Sequence, residues 1–163
     1  MNVAITQVSK EFIDDAIEKM MAGDKNLPYG LFWTVEDGRY VAMDTTSNDL
    51  YVEDFDSYIE CVLWLLKIID QESNLTITKN SSKKWFEMLM GRLPNGPRGD
   101  MWTDGSEILC KTEKIANDVA DLIEHLYCLQ DEEVWVCMGY YDPEEDAISG
   151  EVDNHTGWWY VDI

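Results

Sequence analysis

His125 and His155 are the two imidazoles of this chain, so a general base, a nucleophile relay or a mixed metal site would have to be built on one of them. His125 lies in "LIEHLY", beside Glu124 in a stretch with helical spacing. His155 lies in "DNHTGWWYVDI", at the tip of a turn between two apolar runs. A histidine next to an acid on a helix reads as a solvated neighbour. There is no G-x-S-x-G elbow, and nothing in the spacing pairs Cys61, Cys110, Cys128 or Cys137 with an imidazole. No catalytic residue is expected, and the chain is read as a non-enzyme.

Metal and phosphate readings fare little better. In "DPEEDAISGEVD" (142–153), Asp142, Glu144 and Asp146 alternate as at the start of an EF-hand loop. Ala147 stands where that loop needs Gly, and Asp153 stands where it needs Glu. A solvated acidic loop is expected, with no metal site and no cofactor. "GRLPNGPRGD" combines glycines with Arg92 and Arg98, yet it lacks the G-K-[ST] ending and follows a helix pattern, so it reads as a long loop. Lys79, Lys83, Lys84, Arg92 and Arg98, with Trp85, Phe86 and Trp102 nearby, imitate a single-strand-binding recipe. The rest of the chain carries −25, which argues against nucleic acid as a direct ligand.

Charge is the dominant property. Thirty-three acids against twelve bases give −21, and residues 115–163 hold thirteen acids with no Lys or Arg. Such a surface attracts basic proteins and cations and repels nucleic acid and anionic membrane. Carboxylates two apart on a strand or four apart on a helix lie roughly 6–7 Å apart, broadly the spacing of backbone phosphates. Rows of this kind can occupy a basic groove built for DNA or RNA and gain from the same ion release. The expected surface comprises Asp118, Asp121 and Glu124 on one helix, then Asp131, Glu132, Glu133, Asp142, Glu144, Glu145 and Asp146 after it. Trp102, in a loop, and Trp158, adjacent to Trp159 on one strand, are the aromatic residues expected to meet a partner.

The elements that position these groups follow from pattern. Ser9 caps a helix running to Gly23, with Phe12, Ile13, Ala16 and Ile17 in one stripe. Strands 31–35 and 39–43 flank Asp37-Gly38, and 50–53 is a third strand. Residues 56–70 form a helix apolar on nearly all sides, with Ser57 and Glu60 as a capping box. A short strand at 74–78, a helix at 81–93, a loop at 91–106 and a strand at 107–111 come next. Thr112 caps a strongly periodic helix, and strands at 134–138, 148–152 and 158–163 close the chain. A short first strand is read at 3–6. One α+β domain spanning 1–163 is expected, with an antiparallel sheet of five to seven strands and three to four helices mainly on one face. No run is apolar enough to span a membrane, "MNVAITQVSK" does not read as a secretion signal, and the cysteines read as buried free thiols. A cytoplasmic location is the expectation.

One pattern occurs twice. Asp44, Ser47, Asn48, Tyr51 and Val52 match Asp153, Thr156, Gly157, Tyr160 and Val161 under Asp-x-x-[Ser/Thr]-[Asn/Gly]-x-x-Tyr-Val. Asp would open the turn by accepting backbone N–H bonds, and Asn or Gly would enter the left-handed region cheaply. The repeat reads either as a duplicated αβββ unit or as one turn solution reached twice.

"YVAMDTTSNDLYVEDF" and "GYYDPEEDAISGEVDNHTGWWYVDI" resemble segments of small acidic proteins from mobile elements and phages of Gram-positive bacteria. The resemblance implies no catalytic motif. It implies a setting in which small acidic inhibitors of host nucleases occur. The expected function is an acidic protein-binding domain that mimics nucleic acid toward a basic enzyme. The alternative is a non-catalytic accessory protein that binds through an apolar, tryptophan-bearing face.

Overall fold

The computed structural model describes residues 2–76 and 85–163. The fold is α+β, with eight strands in two four-stranded sheets and five helices among the described residues. The single sheet of five to seven strands is thus replaced by two sheets. The chain divides into two compact units, Ile5–Thr78 and a second comprising Met1–Ala4 with Lys79–Ile163.

The Ile5–Thr78 unit contains β1 (Ile5–Gln7), α1 (Lys10–Met21), β2 (Leu31–Glu36), β3 (Arg39–Asp44), β4 (Tyr51–Phe55) and α2 (Tyr58–Leu65). Its sheet runs β1-β2-β3-β4, parallel between β1 and β2 and antiparallel beyond. Ser9 caps α1 by accepting from the Phe12 N–H, and Gly23 ends it at φ +76°. The β2–β3 turn has positive φ at both Asp37 and Gly38, the combination that a two-residue hairpin requires.

Strand alternation sends the side chains of this sheet to two different covers. Phe32, Val41, Met43 and Val52 face α1, where Ile13 and Ala16 are buried and the Phe12 and Phe32 rings lie 5.0 Å apart. Trp33 and Phe55 face α2, with Trp33 against Tyr58 at 4.8 Å and Phe55 against Trp64 at 5.9 Å. Helices therefore cover both faces here rather than one. Helix α2 is apolar all round, and Cys61, Val62, Leu63 and Leu65 are all buried.

Helix α2 is shorter than the apolar run suggests. It stops at Leu65 because Lys67 adopts φ +63°, with Lys67 N–H bonding Trp64 O (2.9 Å) and Ile68 N–H bonding Leu63 O (2.8 Å). This is a Schellman closure with lysine in the place usually held by glycine. The Lys67 ammonium reaches the buried carboxylate of Asp44. Of the strand expected at 74–78, Leu75 makes an isolated bridge with Ile69, and residues 77 and 78 lie outside the described residues.

The other unit holds α3 (Trp85–Met90), β5 (Met101–Thr103), β6 (Ile108–Cys110), α4 (Glu113–Cys128), β7 (Cys137–Tyr140), α5 (Pro143–Ser149) and β8 (Trp159–Asp162). Its sheet is antiparallel throughout, in the order β5-β6-β8-β7. Thr112 caps α4 as the sequence predicts, and α4 packs on β6 and β8 through Ile115, Ala116, Val119, Leu122, Ile123 and Leu126. The start of the helix expected at 81–93, with Lys83 and Lys84, lies outside the described residues, as does Lys79.

Several expectations fail in this unit. The long loop 91–106 contains β5, and Trp102 is 1% exposed rather than displayed. Residues 148–152 are not a strand. Asp142 caps α5 by accepting from the Glu144 and Glu145 N–H groups, Pro143 occupies the first turn, and Gly150 ends the helix at φ +75°. A helix in place of the acidic loop also rules out the EF-hand arrangement, because Asp142 is spent on backbone. The four cysteines are free thiols, but only Cys61 and Cys110 are buried; Cys128 and Cys137 are exposed, against the expectation that all four are buried. Burial pushes the Cys61 thiol up to about 12. No helix among the described residues is long and apolar enough to cross a membrane.

Candidate functional site

The repeated pattern folds as one local structure in two settings. Asp44 accepts from the Thr46 N–H at 2.8 Å, and Asp153 accepts from the His155 N–H at 2.8 Å. Asn48 has φ +63° and Gly157 has φ +85°. The turn chemistry is therefore shared. The framework is not: the first copy joins β3 to β4, whereas the second joins helix α5 to β8, so no αβββ unit is repeated. The first copy also borders a cleft of 560 Å3 lined by Met20, Lys25, Leu27, Tyr29, Thr45 and Asn48.

In the second copy the turn delivers an imidazole to a set of carboxylates. The β5–β6 turn is tied by Asp104 Oδ1, which accepts from Ser106 N (2.8 Å), Ser106 Oγ (2.9 Å) and Glu107 N (3.0 Å). That leaves Asp104 Oδ2 to meet His155 Nε2 at 2.9 Å. The other ring nitrogen, Nδ1, lies 3.3 Å from Asp153 Oδ1. Glu107 stands alongside, accepting the Tyr141 hydroxyl proton at 2.6 Å on Oε1. One ligand atom each from Asp104, Glu107 and His155 can be chosen so that all three lie within 4.8 Å of one another.

Aromatic rings hold the imidazole in place. Trp102 and Tyr141 each lie 5.4 Å from it, centroid to centroid, and Trp158 packs edge-on to Trp102 at 5.9 Å. Gly157 N–H donates to Tyr141 O at 2.7 Å, which ties the turn to the end of β7. Thr156 Oγ1 donates to Asp146 Oδ2 at 2.7 Å, which ties it to α5.

The electrostatics follow from this packing. Partial burial favours the neutral ring of His155, but the hydrogen bond to Asp104 and the charge of Asp153 outweigh it, so its pKa is raised. Both ring nitrogens face carboxylate oxygens, an arrangement that the imidazolium satisfies in full. Burial likewise works against ionised Asp104, yet the Glu107 and Ser106 N–H groups and His155 hold its carboxyl far below the usual range. Tyr141 is pushed well above an ordinary phenol by burial and by the bond to Glu107.

The expected acidic surface is distributed unevenly. Asp121, Glu124, Asp131, Glu132, Glu133, Glu144 and Glu145 are exposed. Asp118 is half-buried and pairs with Lys114 at 2.9 Å, Asp142 caps α5, and Asp146 accepts from Thr156. Trp158 is half-buried, and the indole that faces solvent is Trp135, at 88% exposure.

Sequence reasoning dismissed His155 and did not single out Asp104, Glu107 or Tyr141. A usable signal was present. "TDGSE" (103–107) has the composition of an Asx turn between two apolar runs, which would have made 101–110 a hairpin and brought its carboxylates to a strand end. Compared with family models, with curated proteins and with solved structures, the chain matches none of them.

Proposed function

We propose that the chain is a non-enzymatic, acidic protein-binding domain that occupies a basic, nucleic-acid-binding groove of an enzyme, in the manner of the small inhibitors carried by mobile elements. The observation that carries this reading is the exposed acid set of the second unit. Asp121 and Glu124 lie on the solvent side of α4, Asp131, Glu132 and Glu133 follow it, and Glu144 and Glu145 lie on α5. No Lys or Arg follows residue 114 in the sequence. Exposed carboxylates on a folded scaffold release counterions from a basic partner, as DNA would.

The test is a pull-down with the full chain from nuclease-treated lysate, eluted by stepped salt. A basic nucleic-acid enzyme should be recovered, released below about 0.5 M salt and competed by DNA, because screening weakens exposed charge pairs first. Asp121→Lys with Glu124→Lys should lower its recovery. A salt-resistant, non-basic partner would favour the second reading, an accessory protein that binds through apolar surface. That reading has its own observation: Trp135 and Ile148 are each 88% exposed, and Val152 is 62% exposed.

A further inference from the structure

We propose that Asp104, Glu107 and His155 bind a first-row divalent transition ion. One imidazole nitrogen and two carboxylate oxygens suit Mn2+, Fe2+ or Zn2+, whereas Ca2+ takes six to eight oxygens and Mg2+ keeps most of its waters. Ligands about 2.0–2.2 Å from a common ion stand roughly 2.8–4.4 Å from each other. Here His155 Nε2 and Asp104 Oδ2 are already 2.9 Å apart, and all three ligand atoms lie within 4.8 Å.

The surroundings are those of a metal site rather than of a chance acidic patch. A ligating histidine is normally oriented by a carboxylate on its other nitrogen, and Asp153 stands 3.3 Å from His155 Nδ1. Asp104 has Oδ1 committed to three donors of its own turn, which fixes the direction of Oδ2. Glu107 accepts the Tyr141 hydroxyl on Oε1, which orients its carboxylate. Trp102, packed against the imidazole, has its Nε1 buried with no acceptor. The ion would join the β5–β6 turn to the turn that precedes β8. It is independent of the partner reading above.

The experiment uses the untagged full chain with Cys128→Ser and Cys137→Ser, so that exposed thiols do not compete, freed of metal by chelation. ZnCl2 or MnCl2 is titrated by calorimetry, with tryptophan emission followed in parallel. One equivalent should bind, with a change in emission from the indole beside His155. Asp104→Asn, Glu107→Gln and His155→Gln should each weaken binding by at least about tenfold. Glu124→Gln, on the exposed side of α4, should leave it unchanged. Should a site variant not fold, the ring protons of the unaltered site decide. One equivalent of Zn2+ should shift the resonances of His155 and not those of His125, assigned with His125→Gln. No binding, several weak equivalents, or a shift of both histidines or of neither would overturn the proposal.

Discussion

His155 and Asp104 are fifty-one residues apart in the chain and 2.9 Å apart in the fold, Nε2 to Oδ2. Each is held by its own turn before it meets the other. Asp104 closes the β5–β6 turn with one oxygen, and His155 follows the Asp153 turn that starts β8. The contact therefore couples two locally determined structures, and its energy should be measurable as a coupling.

A double-mutant cycle on Asp104→Ala and His155→Ala checks this. Asp104→Ala should cost about 1–3 kcal/mol, because it strips acceptors from two turn N–H groups and from His155. His155→Ala should cost less. The interaction energy from urea unfolding should be at least about 0.5 kcal/mol, whereas independent sites would add to within that value.

Asp44 sets an acid limit on the Ile5–Thr78 unit. Burial works against its charge, but Lys67 and both hydrogen-bonding groups of Thr46 lower its pKa below the ordinary carboxylate value. A depressed folded pKa means that the unfolded chain binds the proton more readily. The contribution is fully present above about pH 4–5 and is lost as pH falls through the folded value. Asp44→Asn should lower stability at pH 7 by about 1–3 kcal/mol. Its stability should also fall less steeply than that of the natural chain between pH 5 and pH 2, as followed by unfolding curves at each pH.

The left-handed turn positions separate conformational strain from packing. A Cβ at Gly157 would meet nothing within 4 Å, yet φ is +85°. Gly157→Ala should therefore cost about 1–2 kcal/mol from backbone strain alone. Asn48→Gly, at φ +63°, should stay within about 0.5 kcal/mol of the natural chain. Denaturant midpoints with unchanged slopes would check both.

Gly139 presents the opposite case. It pairs with Tyr160 across β7 and β8, and a Cβ there would lie 2.4 Å from the Tyr160 ring, which itself packs on Tyr141 at 5.3 Å. Gly139→Ala should destabilise by about 1–3 kcal/mol through overpacking. Adding Tyr160→Leu should recover part of that loss in thermal unfolding, because it removes the ring that clashes.

What could be read from the sequence was whatever local chemistry decides. Ser9, Ser57 and Thr112 cap the helices they were expected to cap, and Asp37-Gly38 makes the hairpin it was expected to make. Residues 143–149 misled because they have no apolar period; their helix signals are the Asp142-Pro143 start and the Gly150 stop, which frame too few residues to show periodicity. The end of α2 was hidden because lysine, not glycine or asparagine, takes the left-handed position at Lys67. The imidazole site was hidden because it is not local. Its members come from two turns and a strand end, and no window along the chain contains both Asp104 and His155.

Helix α5 buries none of its residues, whereas α4 buries eight. Stability in a folded chain is local, and a segment without apolar anchoring opens at a small fraction of the global unfolding free energy. The amide protons of α5 should thus exchange with deuterium orders of magnitude faster than those of the buried side of α4. A protease should find its first cut between Pro143 and Val152, with the rest of the unit still folded. The acids on α5 belong to a segment that can unwind and re-form on its own, so a partner that grips them would read out as slowed exchange there before any change elsewhere.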